Sequence, residues 1–274
     1  MDNMTFISED EWDHISEDNR RKIAVAISND RPDGDYHEIV LPNTFYVRFG
    51  KRLLDILFAG IACLVFLPIN LLIAIITFFD VGRPIFFKQV RVGKNGKLFS
   101  LMKFRNMTNE KNEQGVLLPP EKRVTKWGKI VRKTSLDELL NFWSIFKGDM
   151  SLIGPRPLPQ KYFVRFNAFH QQRHLLKPGL ECPFHERGLA AQGWQGRLDN
   201  DIWYVENISF KTDVKMAFLL VKKVFSKEER EASASGKTGE FIGYGEDGSI
   251  MNEWCIPRKY LAVIEKEEEE ACKD

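Results

Sequence analysis

The run LLDILFAGIACLVFLPINLLIAIITFF, residues 53–79, is 27 residues long and carries one charge, Asp55. About 20 apolar residues suffice to cross the hydrocarbon of a bilayer, and no other stretch of the 274-residue chain is long enough to enter one. The rest of the chain is therefore expected to work beside a membrane. Hydropathy alone leaves two topologies open, and a single spanning helix is the simpler. Against it, Pro68 and Asn70 fall in the middle of the run, where proline removes a helix hydrogen bond and clashes with the preceding turn. Both flanks are basic, with Lys51 and Arg52 before and Arg83, Lys88 and Arg91 after, and basic flanks favour the cytoplasmic side. A helix over about 51–80 that breaks at Pro68, dips in and returns would place both flanks there, with Asp55 at the interface.

The formal charge of +2 conceals segregation. Residues 81–109 hold seven Lys or Arg and no acid, 122–136 hold six and no acid, and 265–274 hold six acids against two lysines. Basic blocks beside an apolar segment point to phosphate, of lipid or of a charged substrate. Nucleic acid would also attract them, but beside a membrane segment lipid or substrate phosphate explains them better, and nucleic acid is not expected as a partner. Cys63, Cys182, Cys255 and Cys272 are widely spaced without a CxxC pair, which reads as reduced, cytoplasmic thiols. The first 45 residues are polar and acidic without an apolar h-region, so no cleavable signal peptide is expected.

Local patterns give an α+β class, mostly helical with a short β-hairpin. Residues 1–47 read as a polar, poorly structured or weakly helical extension. PIFFKQVRVGKNGKLFSLMKFRNM reads as two strands about Asn95-Gly96, a strong hairpin signal. The GKNGK string lacks the spacing of a phosphate loop. Leu139, Phe142, Trp143 and Phe146 recur at helical spacing, with Gly148 as the stop. Gly154-Pro155-Arg156-Pro157 must be an extended turn. Residues 161–176 and 214–225 pair apolar with cationic positions, as core helices or as amphipathic helices in the membrane interface. Residues 226–250 read as a linker, and the Glu-rich end of a 227–274 extension as a solvated tail.

Ser135-Leu136-Asp137-Glu138 supports two readings. The usual one for Ser-x-x-Glu is a capping box, Ser135 bonding the Glu138 backbone while Glu138 reaches back. The other follows from the surroundings, with Arg132 and Lys133 before the acids and Lys147, Asp149 and Arg156 after them. A carboxylate pair among arginines could hold Mg²⁺ and attack phosphorus. His170 and His174 stand at i, i+4 without an evident third ligand, so a structural role is expected. No catalytic pattern surrounds Cys182 and His185.

The strings KRLLDILFAGIACLVFLPINLLIAI, FFKQVRVGKNGKLFSLMKFRNM, RKTSLDELLNFWSIFKGDMSLIGPRPL, KPG and DIWYVENISFKTDVK occur in this order over about residues 48–226. In them the chain resembles the monotopic phosphoglycosyl transferases, or bacterial sugar transferase family, at the length of its minimal members. The resemblance implies a membrane-associated domain over 48–226 with a re-entrant helix broken at Pro68. It also implies transfer of a sugar 1-phosphate from a UDP-sugar to polyprenyl (undecaprenyl) phosphate, with release of UMP. On this reading Asp137 is the nucleophile, loaded with phosphosugar and close to Mg²⁺, and Glu138 is the second acid. Lys103, Arg105, Arg132 and Arg156, with Lys147 and Asp149 nearby, are the expected substrate-binding groups. The implied setting is the cytoplasmic face of a bacterial inner membrane, at the first membrane step of a glycoconjugate pathway (exopolysaccharide, capsule, O-antigen or glycoprotein), with downstream glycosyltransferases as possible partners. A catalytically inactive membrane-anchored scaffold is the alternative. The chain departs from the family's pattern at Leu140, where proline is usual, and after Lys177-Pro178-Gly179. There Leu180 to Leu189 replace a small, neutral loop without changing its length, so Glu181, His185 and Arg187 are expected either to tune sugar selectivity or to face solvent or a partner protein.

Overall fold

Ser8 accepts the Glu11 N–H at 3.3 Å while Glu11 Oε2 takes the Ser8 N–H at 2.9 Å. This reciprocal cap starts α1 (Glu9–His14), and α2 (Glu17–Asp30) follows. The computed structural model describes residues 6–30, 36–186, 188–225 and 239–264. A helical turn over Tyr46–Gly50 runs into α3 (Lys51–Val81), which holds Pro68 inside one helical stretch. Then come β1 (Phe86–Val92), β2 (Leu98–Phe104), α4 (Pro120–Arg123), α5 (Lys126–Thr134), α6 (Asn141–Lys147), β3 (Ser151–Ile153) and α7 (Ala168–Gln171). β4 (Gly179–Glu181), α8 (Gly193–Glu206), α9 (Phe210–Phe225), β5 (Phe241–Tyr244) and β6 (Ile250–Asn252) complete the order.

The sheets are two-stranded. β1 and β2 pair antiparallel from Phe86↔Phe104 to Val92↔Leu98. Their turn centres on Asn95 and Gly96, at φ 54° and 75°, the left-handed pair that suits the twist of a tight hairpin. β3 and β4 are parallel, and β5 and β6 antiparallel.

α3 is long and apolar enough to cross a membrane, and its apolar side chains face outward. Leu64 is 74% and Phe79 80% exposed, a surface that water would not tolerate over such a length. Both of its ends are tied to the rest of the domain. At the start, Arg52 donates to the Ile145 and Phe146 carbonyls at 2.6 and 2.8 Å. Asp55 accepts from the Ser151 hydroxyl at 3.0 Å and the Leu152 N–H at 2.9 Å. At the far end, the Thr125 hydroxyl donates to Asp80 at 2.6 Å and Trp127 Nε1–H to the Thr77 hydroxyl at 3.3 Å. α9 leaves an apolar stripe exposed at Phe210, Val214, Phe218 and Val221.

Three readings of the sequence are corrected. The N-terminal extension is helical over α1 and α2, as one of its two readings had it, but packed and not loose: Ile7, Trp12, Ile23 and Ile27 are buried in one core with Ile242, Met251, Ile256 and Tyr260. That partner surface lies more than 200 positions away, beyond any local pattern. The linker reading of 226–250 fails over its second half, since β5 is buried along its length and fills a core with Leu158, Phe166, Trp194 and Leu198. Residues 226–238 and the acidic tail from Glu265 lie outside the described residues. Third, 161–176 is not one amphipathic helix. It folds as short turns around α7, and its two arginines point inward: Arg165 meets Glu240 at 2.8 Å and Arg173 meets Asp201 at 2.6 Å.

If the two ends of the chain close one core, Trp12→Ala and Ile242→Ala will each cost about 2–5 kcal/mol. Val40→Ala, at a position 87% exposed, will stay within about 0.5 kcal/mol. Unfolding curves of the detergent-solubilised protein check this, and a loose N-terminal extension would make Trp12→Ala silent as well.

Candidate active site

α5 ends at Thr134 because Ser135 turns left-handed, φ 56°, a conformation uncommon outside glycine. A single 3₁₀ turn, Leu136–Glu138, follows. Ser135 makes no side-chain cap; the Glu138 N–H goes instead to the Ser135 carbonyl at 3.1 Å. The capping-box reading is thereby overturned. The physical reason is competition, because two cations draw the Glu138 carboxylate away from the backbone.

Those cations arrive from different elements. β2 carries Lys103, whose Nζ is 2.9 Å from Glu138 Oε1 and 3.4 Å from Asp137 Oδ2. The turn after β3 carries Arg156, whose Nη2 donates to Glu138 Oε1 at 2.6 Å and whose Nη1 reaches Glu181 Oε2 at 3.3 Å. That turn is held from three sides. Arg91 donates to the Pro157 carbonyl at 3.0 Å, and Arg173, paired with buried Asp201, donates to the Arg156 carbonyl at 2.9 Å. Gly179 also lies against it so closely that a Cβ there would stand 2.2 Å from the Gly154 nitrogen. Arg156 is aimed by a braced backbone.

The two adjacent acids differ in their electrostatics. Asp137 is only 7% exposed. Burial pushes its carboxyl above the ordinary carboxylate value, with Lys103 opposing and Glu138 adding to the rise. Burial also pushes Glu138 upward, but Arg156 and Lys103 outweigh it and hold Glu138 below its ordinary value. Glu138 is thus a fixed anion, and Asp137 is a less stabilised one beside it. Less stabilised carboxylates are the more reactive toward an electrophile.

The structure brings Lys103, Asp137, Glu138 and Arg156 together and leaves four expected groups elsewhere. Arg105 donates to the Arg83 carbonyl at 3.1 Å, bracing the connection after α3. Arg132 is exposed on the last turn of α5. Lys147, the last residue of α6, and Asp149 pair with each other at 2.7 Å, on the side where Arg52 and Lys177 approach Gly148. Sequence reasoning passed over Arg173 and the bracing role of Arg91. The only available signal was their membership of basic stretches, which says nothing of the carbonyls they would reach. His170 and His174 do not form a metal pair: His170 Nδ1 meets the Tyr244 hydroxyl at 2.8 Å, and His174 Nδ1 the Gln171 carbonyl at 3.0 Å. Burial and the charge of Arg173 bring His174 down to about 3. The Cys182 thiol is buried and pushed well up by that burial, the opposite of an activated nucleophile.

The fold and this site define a domain with a long apolar helix fit to cross a membrane and a carboxylate pair clamped by two cations. Residues 46–227 match the bacterial sugar transferase family, and the chain belongs to that family and so to the transferases. It is 40% identical over 200 residues to an uncharacterized sugar transferase of Bacillus subtilis, covering 73% of this chain and 98% of the relative. It is 34% identical to a UDP-N-acetylgalactosamine-undecaprenyl-phosphate N-acetylgalactosaminephosphotransferase of Aeromonas hydrophila (68% of this chain, 46% of the relative). It is 36% identical to a UDP-glucose:undecaprenyl-phosphate glucose-1-phosphate transferase of Klebsiella pneumoniae (64% and 40%). The chain thus spans nearly all of the first and less than half of the other two.

The opposite shifts of the two acids have opposite consequences for stability. Glu138, lowered in the fold, stabilises it above the unfolded carboxylate pKa and loses that contribution as pH falls through its folded value. Asp137, raised, weighs against the fold once it ionises. Glu138→Gln will therefore cost about 1–3 kcal/mol near neutral pH and little in acid, whereas Asp137→Asn will leave neutral-pH stability unchanged or raise it. Thermal melts of both variants at the two pH values decide, and equal losses at both would contradict the assignment.

Proposed function

We propose that the protein transfers a sugar 1-phosphate from a UDP-sugar to undecaprenyl phosphate through a phosphosugar-aspartate intermediate. The observation that carries this reading is the unequal pair, a buried Asp137 beside a Glu138 fixed by Lys103 and Arg156. The reactions named for the Aeromonas and Klebsiella relatives supply its substrate classes. An Asp137 oxygen attacks the β-phosphorus, forming an acyl-phosphate bond. The bond from that phosphorus to the bridging oxygen breaks, and UMP leaves with the oxygen and the electron pair. An oxygen of undecaprenyl phosphate then attacks the same phosphorus, and the Asp137 carboxylate departs unchanged. Lys103 and Arg156 offset the charge of an anion attacking an anionic diphosphate.

Among the described residues no three His, Cys, Asp or Glu side chains gather to cage a metal. The donor set nonetheless fits Mg²⁺ as phosphate enzymes commonly hold it, on one or two carboxylates with substrate oxygens and water completing the shell. Asp137 is the protein ligand on this reading, and bound Mg²⁺ would neutralise charge developing on the diphosphate.

The membrane part is read as re-entrant. A straight helix of 31 residues would measure about 46 Å, longer than a hydrocarbon core of about 30 Å. Yet Arg52 at one end bonds α6 and Thr77 and Asp80 at the other bond α5, two elements joined by one 3₁₀ turn and a few residues. A bend at Pro68, with both basic flanks and the α9 stripe at one face, accounts for these ties. That face is taken as the cytoplasmic side of the inner membrane. Glycoconjugate assembly, with further glycosyltransferases acting on the product, is the pathway setting that suits the reaction.

Incubation with its UDP-sugar and Mg²⁺ but no acceptor will add a phosphosugar mass to the peptide carrying Asp137. Asp137→Asn will neither load nor turn over, a loss above about 10³-fold. Full activity in that variant would remove Asp137 from the reaction, and a parent that never loads would favour the inactive scaffold. For topology, Phe45→Cys and Val90→Cys, each in a background without Cys63, will resist an impermeant thiol reagent on intact spheroplasts. Labelling of one position alone would mean a spanning helix.

A further inference from the structure

Next to the carboxylate pair lies a second feature that the reaction above does not use, a cleft of about 190 Å³ lined by Arg156, Glu181, Phe184, Arg197, Asn200 and Asp201. It shares a wall with the active site: one edge of Arg156 holds Glu138 at 2.6 Å and the other reaches Glu181 at 3.3 Å. One guanidinium therefore separates the cleft from the carboxylates.

The walls are fixed by bonds that consume several of the polar groups. Asn200 Nδ2 donates to the Cys182 carbonyl at 3.2 Å, and Asn200 Oδ1 accepts the His185 N–H at 2.9 Å. The His185 ring stacks on Trp203, with centroids 3.9 Å apart and planes 4° from parallel. Asp201 is taken by Arg173 at 2.6 Å. Arg197 is different. Half-buried, its guanidinium lies over the Trp194 ring at 5.1 Å, and among the described residues it has no carboxylate within ion-pair distance. A half-buried cation with no acceptor among the described residues, beside a carboxylate and an aromatic ring, is placed to hydrogen-bond a ligand. Pockets for drug-sized ligands run about 300–1,000 Å³, so this smaller space takes one ring and not a nucleoside diphosphate. Its polar walls do not suit an isoprenoid tail.

We infer that this cleft seats the sugar ring of the donor, with Arg197 and Glu181 reading its substituents, and that it favours sugars bearing a carbonyl or carboxylate oxygen for Arg197. The inference rests on the UDP-sugar reading above. It also revises which residues set selectivity. Glu181, one of the three residues expected to tune selectivity, lines the cleft, His185 braces its wall from behind, Arg187 lies outside the described residues, and Arg197 takes the reading role.

The test uses the full chain in detergent with Asp137→Asn, so that binding is measured without turnover, and titrates UDP, UDP-glucose, UDP-N-acetylglucosamine and UDP-glucuronate calorimetrically. The sugar adding most affinity over UDP will be one of the last two, by about 10-fold or more. Adding Arg197→Ala will erase that increment while leaving UDP affinity unchanged, which also reports an intact fold. Glu181→Gln will alter the ranking among the donors. If the increment survives in both variants, or if UDP-glucose gains as much as the others, the cleft does not read the sugar. Loss of UDP affinity in both variants, with melting temperatures intact, would give the cleft to the nucleotide and overturn the assignment. A parent that binds no UDP compound at all would instead bring down the donor reading and the cleft together.

Discussion

The clamp of Lys103 and Arg156 on Glu138 is the interaction on which the remainder of the site depends. Two carboxylates one residue apart repel each other, and the fold resolves the conflict unequally by giving both close cations to one of them. Asp137, buried against Glu138, keeps a single long contact to Lys103. The β1–β2 hairpin exists, for this purpose, to deliver Lys103, and the braced Gly154–Pro157 turn to deliver Arg156. The backbone strain at Ser135 belongs to the same arrangement, since the left-handed residue ends α5 abruptly and sets the acids on a tight turn between the two cations.

The second organising constraint is that α3 cannot separate from this body. Arg52 and Asp55 are bonded to the end of α6 and to β3, the elements that lead directly into the Arg156 turn. Thr77 and Asp80 are bonded to α5, which leads into the acids. An apolar helix that lipid would otherwise leave free to slide is thereby registered against the carboxylate pair. Polar side chains at its two ends do this, since apolar contacts in a bilayer have little driving force of their own.

Beyond the family's span, the two ends of the chain fold onto each other and then onto the transferase domain. β5 places Phe241 and Tyr244 in a core with Leu158 and Phe166, Glu240 takes Arg165, and the Tyr244 hydroxyl takes His170. These contacts stiffen residues 160–175, the segment whose Arg173 supports the Arg156 carbonyl. The extensions are thus coupled to the clamp through packing, two steps removed from the carboxylates.

Much of this was legible locally. The apolar run gave α3 nearly to its ends, Asn95-Gly96 gave the hairpin turn, and the order of the family strings gave Asp137 and Glu138 as the pair to examine. These are properties of short segments, where periodicity, turn chemistry and apolar length act within a few residues. What the tertiary structure alone decided depends on partners far along the chain. Ser-x-x-Glu reads as a cap until Lys103 and Arg156, 35 and 18 positions from Glu138, draw the carboxylate away. Residues 161–176 read as one core or interfacial helix until Glu240 and buried Asp201 draw Arg165 and Arg173 inward. Trp12 reads as part of a loose extension until Ile242 and Tyr260 cover it. A charge chooses its partner by distance and desolvation, and both are set only when the chain has closed upon itself.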